Sequence, residues 1–111
     1  MKVRGTLKKN SDFRRLYTKG KSAVTPYLVV YARPNKLGEN RLGYTVSAKL
    51  GHAVVRNRVR RRLREVVRLN SASVKQGYDL VLVARTRAIA APFRKLESAY
   101  LRACADLGLT L

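Results

Sequence analysis

The sequence predicts an α+β fold, an α/β sandwich in which a small sheet is covered by helices in the order α-β-β-α-β-α. Three observations carry this. Apolar residues recur at helical spacing over residues 55–69 and 93–107. Three short runs, 27–32, 42–48 and 78–84, have the β-branched and aromatic character of strands. The chain has 111 residues, 46% of them hydrophobic, which suits a single domain over residues 1–111 with one modest core.

Residues 1–9 read as a basic, extended arm. A short helix follows. Asn10 or Ser11 suits its cap, Asp12 its first turn and Gly20 its end. Phe13, Leu16 and Tyr17 share one face, and Leu16 reads as core. Phe13 and Tyr17 are flanked by Arg14, Arg15 and Lys19. They suit either core packing or single-stranded RNA binding, in which bases stack on rings while cations hold phosphate.

The run YLVVYA, 27–32, is a strand with Pro26 and Pro34 at its permitted edges. Tyr27, Val29 and Tyr31 point one way, and Leu28, Val30 and Ala32 the other. PNKLGEN, 34–40, reads as a hairpin loop. The next strand, 42–48, puts Leu42, Tyr44, Val46 and Ala48 on one face. Gly43, Thr45 and Ser47 fall on the other, small enough to admit a ligand and equally suited to solvent. Lys49-Leu50-Gly51-His52 turns the chain into the second helix, which ends at Asn70-Ser71-Ala72-Ser73. Tyr78–Ala84 contains LVLVA, the near-continuous apolar run of a buried strand. Thr86 to Ala91 is a loop. Pro92 opens the last helix, where Phe93, Leu96, Tyr100, Ala103, Cys104 and Leu107 form a core stripe and Gly108 is the stop.

The second helix is the feature the rest is organised around. Between Arg56 and Arg68 lie seven arginines and one acid, Glu65. With Val55 at zero on a helical wheel, Leu69, Val66, Val59, Leu63 and Val67 fall between about −40° and 120°. That arc is a core-facing stripe. Arg58, Arg60, Arg61, Arg64 and Arg68 occupy the remaining arc, with Asn57 among them. Two arginines break the pattern. Arg62 falls inside the stripe, where its stem can pack while its head snorkels to water. Arg56 lies in the first turn and is expected to face a ligand. A solvated helix mixes its charges, so a one-signed ridge points to a polyanion that covers it.

Whole-chain charge agrees. Lys and Arg number 25 against 6 Asp and Glu, a net charge of +19 with a pI near 11.3. This is the electrostatic footprint of a nucleic-acid binder, with a membrane surface the weaker alternative. No apolar run is long enough to span a bilayer, and the basic amino terminus lacks the apolar segment of a signal peptide. With a single cysteine, Cys104, there is no internal disulfide, and the cytoplasm is the expected compartment. A catalytic centre is not evident. The six acids are scattered and His52 is the one histidine, so a His pair or three-His metal site is excluded. The chain reads as a binder, and any chemistry it serves belongs to a partner. A DNA-binding role is disfavoured, because Asn57 is the only non-cationic base reader on the ridge.

The block from Gly51 to Glu65, GHAVVRNRVRRRLRE, resembles the arginine-rich motif of the bacterial ribonuclease P protein subunit. The likeness extends to Leu7-Lys8-Lys9-Asn10 with Phe13, to RLGYTVS at 41–47 and to YDLVLVAR at 78–85, covering nearly the whole chain in order and spacing. The resemblance implies a subunit of the ribonucleoprotein endoribonuclease that removes the 5′ leader of precursor tRNA. In it the RNA subunit is the catalyst and holds Mg²⁺, with none bound by the protein alone. The implied partners are the catalytic RNA and precursor tRNA. The implied RNA-facing residues are Arg56, Asn57, Arg58, Arg60, Arg61 and Arg64, beside Arg68 on the same ridge. Phe13, Tyr17, Tyr31 and Thr45 match the cleft where the single-stranded leader lies. The family also implies a left-handed β-α-β crossover, against the usual right-handed rule. A structural ribosomal RNA-binding protein is the alternative that size and charge allow.

Overall fold

The computed structural model describes residues 3–7 and 9–111, with 3–6 described as backbone only. The order of elements is β1 (Val3–Thr6), α1 (Asn10–Lys19), β2 (Lys21–Val24), β3 (Leu28–Pro34), β4 (Asn40–Thr45), α2 (Ala53–Leu69), β5 (Tyr78–Ala84) and α3 (Phe93–Asp106). Single 3-10 turns sit at Ala48–Leu50, Ser71–Ser73 and Thr86–Ala88. The five strands form one mixed sheet in the order β1-β4-β5-β3-β2.

β5 takes the centre for a reason written in its residues. Leu80, Val81 and Leu82 are all fully buried, so the strand needs cover on both faces and a neighbour on each side. β3 pairs with it antiparallel and β4 parallel. The segment 34–40 is therefore not a hairpin loop, because β3 and β4 are separated by β5 and the chain crosses past it. The basic arm is also corrected in part. Residues 3–6 are an edge strand parallel to β4, whereas Met1, Lys2 and Lys8 of the arm lie outside the described residues. β2 was not expected from the sequence. It is a four-residue edge strand with only Ala23 buried, too short for an alternation to register. β4 stops at Thr45 rather than Ala48, since Ser47 and Ala48 turn outward into the 3-10 segment.

The two faces of the sheet are unequal. Leu28, Val30, Leu42, Leu80 and Leu82 point towards α2 and α3 and form the main core with Leu63, Val66, Leu96 and Tyr100. Among the described residues the opposite face meets α1 and Leu7, in a small cluster of Leu7, Leu16 and Val81 with Phe13, Tyr31 and Val83 half-buried around it. The ten residues of α1 cannot cover the whole face. The part left open is the cleft. Gly20 ends α1 as expected; a Cβ there would stand 2.6 Å from the Leu16 carbonyl oxygen.

Candidate RNA-binding surfaces

α2 buries Val59, Leu63, Val66 and Val67, as the wheel requires. Leu69 departs from it and is 52% exposed, because angular position on a wheel carries no information about where a helix outruns its partner. The ridge is in place. Asn57, Arg58, Arg61, Arg64 and Arg68 are exposed and Arg60 is half-buried. Its members are not equally free. Arg60 Nη1 donates to Asn57 Oδ1 at 2.9 Å. Arg68 donates from Nε and Nη2 to the Glu65 carboxylate, which compensates part of its charge. The Arg64 guanidinium lies 5.8 Å from the centroid of the Tyr44 ring, a cation–π arrangement. Burial pushes the Tyr44 phenol up to about 12, opposed by the Arg64 charge, so the ring stays neutral beneath the cation.

The two irregular arginines are anchored to backbone. Arg62 does not snorkel to water. It donates to the Ala88 carbonyl at 3.4 Å and to the Ala91 carbonyl, clamping the loop before α3 onto α2. Its pKa is lowered, first by burial and then by Arg58. Arg56 is half-buried, and its Nε donates to the Gly51 carbonyl at 3.2 Å, tying down the turn that opens α2. Gly51 itself has a φ of +136°, a region L-residues rarely adopt.

The cleft gathers all four residues assigned to it. Phe13 and Tyr17 lie one turn apart on α1, with ring centroids 6.4 Å apart. Tyr17 meets Tyr31 of β3 edge-to-face at 4.9 Å and 77°. The Tyr17 hydroxyl is hydrogen-bonded to Thr45 Oγ1 at 2.9 Å, bridging α1 to β4 across β5. Tyr17 remains 40% exposed, whereas Phe13 is more deeply seated. Gly43 explains that difference: an added Cβ would stand 2.8 and 2.9 Å from two carbons of the Phe13 ring. The register extends the floor from Thr45 to Val83 and on to Val29. Val29 and Val83 were not singled out in the sequence; only knowledge of which strands pair places them beside Thr45.

Among the described residues no three of His, Cys, Asp and Glu gather to hold a metal. Burial pushes the Cys104 thiol up to about 11, which leaves it inert as a nucleophile. His52 precedes α2 but makes no side-chain cap hydrogen bond. No helix among the described residues is long and apolar enough to cross a membrane.

These features define a small, basic α+β protein that presents an arginine ridge on one layer and an aromatic cleft on the other. A family model described as Ribonuclease P matches residues 1–108. The chain is 44% identical over 109 residues to a ribonuclease P protein component from Alkaliphilus oremlandii, covering 98% of this chain and 96% of that one. It is 47% identical over 97 residues to that of Natranaerobius thermophilus, covering 87% and 84%. Among solved structures, the Staphylococcus aureus RNase P protein superposes with a TM-score of 0.85 at 32% identity, covering 96% of this chain and 97% of that one. The Thermotoga maritima RNase P protein gives 0.81 at 31% identity, covering 87% and 92%. The chain belongs to the ribonuclease P protein family, the protein component of a tRNA-processing endoribonuclease complex with an RNA partner. Membership sets aside the alternative of a structural ribosomal protein.

Proposed function

We propose that this subunit docks on the catalytic RNA through the α2 ridge and holds the 5′ leader of precursor tRNA in the cleft between α1 and the sheet. It thereby assists Mg²⁺-dependent hydrolysis of one phosphodiester bond. The observation that carries the reading is the Tyr17–Tyr31–Thr45 constellation on an open sheet face. Half-exposed rings give bases a stacking surface, and the hydroxyl pair offers donors and acceptors to base or sugar edges. On the ridge, Arg58 and Arg61 are the freest to engage phosphate, and Arg64, stacked on Tyr44, keeps its N–H edge for it. Arg60, with Asn57, presents a mixed cationic and amide site. Arg56 and Arg68 each have part of their guanidinium engaged already. Mg²⁺ is assigned to the RNA subunit. In this reading the protein contributes charge and shape.

The test is cleavage of precursor tRNA by the purified protein alone, by the catalytic RNA alone, and by the two together. The expected result is no cleavage by the protein alone and faster cleavage by the pair than by the RNA. Cleavage by the protein that survives nuclease treatment would overturn the assignment of roles.

A further inference from the structure

The sheet face beneath α1 has two flanks, and the cleft occupies one. Four residues back along the strand from Thr45, about 13 Å at the usual rise, the register sets Arg33, Asp79 and Arg41 side by side across β3, β5 and β4. With Arg15 from α1 and Lys36 from the loop after β3, they line a hollow of about 240 Å³.

The one carboxylate there is already occupied. Arg41 donates to Asp79 from Nε at 2.8 Å and from Nη2 at 2.7 Å, and Asn35 Nδ2 donates at 3.0 Å. Asn35 also pins its own loop, donating to the Glu39 carbonyl and accepting from the Leu37 N–H. Lys36 sits within that pinned loop at φ 61°, a conformation uncommon for a lysine. The side chains of Arg15, Arg33 and Lys36 have no hydrogen-bond or ion-pair partner among the described residues. A second hollow, of about 200 Å³, adjoins across Arg33 and Pro34 and brings Lys19 and Lys21 beside Tyr78. The Arg41–Asp79 pair ties β4 to β5 and the Arg15 charge adds to it, so Arg15, Arg33 and Lys36 share a hollow whose one carboxylate Arg41 already covers.

We propose that the Arg33–Pro34 corner is a second phosphate-binding site, which takes the phosphodiester backbone of an RNA strand apart from both the α2 ridge and the aromatic cleft. Arg15 and Arg33 supply planar forks that match phosphate oxygens, and Lys36 a mobile point charge. Arg41 is a positioning residue: it covers both Asp79 oxygens, so the surface met by an anion is cationic. The proposal rests on the RNA-binding reading above.

The experiment measures salt-dependent binding of the full chain to a single-stranded oligoribonucleotide a dozen nucleotides long. The variants are Arg15→Gln/Arg33→Gln and, as a charge-matched control, Arg94→Gln/Arg102→Gln on the exposed face of α3. Single strands give a log–log salt slope of about −0.7 per phosphate neutralised, so the first variant should flatten the slope by about 1.4 and the control should not. Equal flattening by both, or by neither, overturns the site. Inorganic pyrophosphate, titrated at matched ionic strength, separates a free-anion source from an RNA source. Saturable pyrophosphate binding lost in the first variant, with an unmoved RNA slope, also overturns it. A wild-type protein with no salt slope would instead sink the RNA-binding reading underneath.

Discussion

The ridge and the cleft lie on opposite layers of one molecule and are built in opposite ways. Every ridge residue belongs to a single helix, and its neighbours are three or four positions away in the chain. The cleft draws Phe13 and Tyr17 from α1, Tyr31 from β3 and Thr45 from β4, and none of these strands touches the other directly. The ridge therefore needs only helical periodicity and an apolar stripe to seat it. The cleft needs the sheet to have closed in the right order first. Damage to the ridge should change binding with little effect on folding. In the cleft, packing and ligand contact share the same rings, so changes there should mix the two.

The largest effect that sharpens this contrast is that of salt. If the ridge neutralises roughly 6–10 phosphates on a duplex-like RNA surface, affinity should fall by about 10³–10⁵ between 50 and 200 mM salt. A flat profile in an equilibrium binding assay would remove the ridge from the interface. Next comes the cost of disturbing each side of α2. Leu63 is fully buried, so Leu63→Ala should lower unfolding free energy by about 2–5 kcal/mol. Arg64→Ala, on the opposite side, should cost no more than about 1 kcal/mol, the worth of its cation–π contact with Tyr44, while weakening assembly with the catalytic RNA. Chemical denaturation distinguishes the two, and similar losses would mean the helix does not divide into core and ridge.

Gly43→Ala probes the cleft through packing. Its Cβ would press on the Phe13 ring, and the ring would have to move, at about 1–3 kcal/mol for overpacking. Unchanged stability and unchanged leader binding together would show that Phe13 is not seated on Gly43. The smallest effect concerns acid. Burial pushes the Asp79 carboxyl up, but hydrogen bonds from Arg41 and Asn35, with the Arg41 and Arg15 charges, outweigh it and hold the group below the ordinary aspartate value. A depressed folded pKa contributes stability that is fully present above the unfolded value of about 4 and is lost as pH falls through the folded one. Asp79→Asn should therefore flatten the decline of melting temperature below about pH 4. An acid limb identical to that of the wild type would contradict the pairing.

What the sequence made legible follows the same division. The α2 stripe, the buried run of β5 and the α3 core positions are repeated local signals, and the structure places them accordingly. The strand order is not local. Nothing in PNKLGEN reveals that β5, almost forty residues later, will insert between β3 and β4, so the turn residues read as a hairpin. Residues 3–6 and 21–24 form strands because an edge was available to them, and too few residues are involved for periodicity to show it. Arg62 looked misplaced because its acceptors, the carbonyls of Ala88 and Ala91, come from a distant loop. Phe13 and Tyr17 had two readings in the sequence, core packing or a stacking surface, and their packing differs. Phe13 packs on Gly43 while Tyr17 leaves its ring in the open.

That last point gives the most direct measurement. Ribonuclease P is reconstituted with wild-type protein and with Tyr17→Ala, and the affinity of each for precursor tRNA with a leader several nucleotides long is compared with that for mature tRNA. Stacking is worth about 1–3 kcal/mol per base, so Tyr17→Ala should weaken leader-bearing substrate by roughly 5- to 150-fold and leave mature tRNA unaffected. An equal loss for both RNAs, or no loss for either, would contradict a leader-binding cleft between α1 and the sheet.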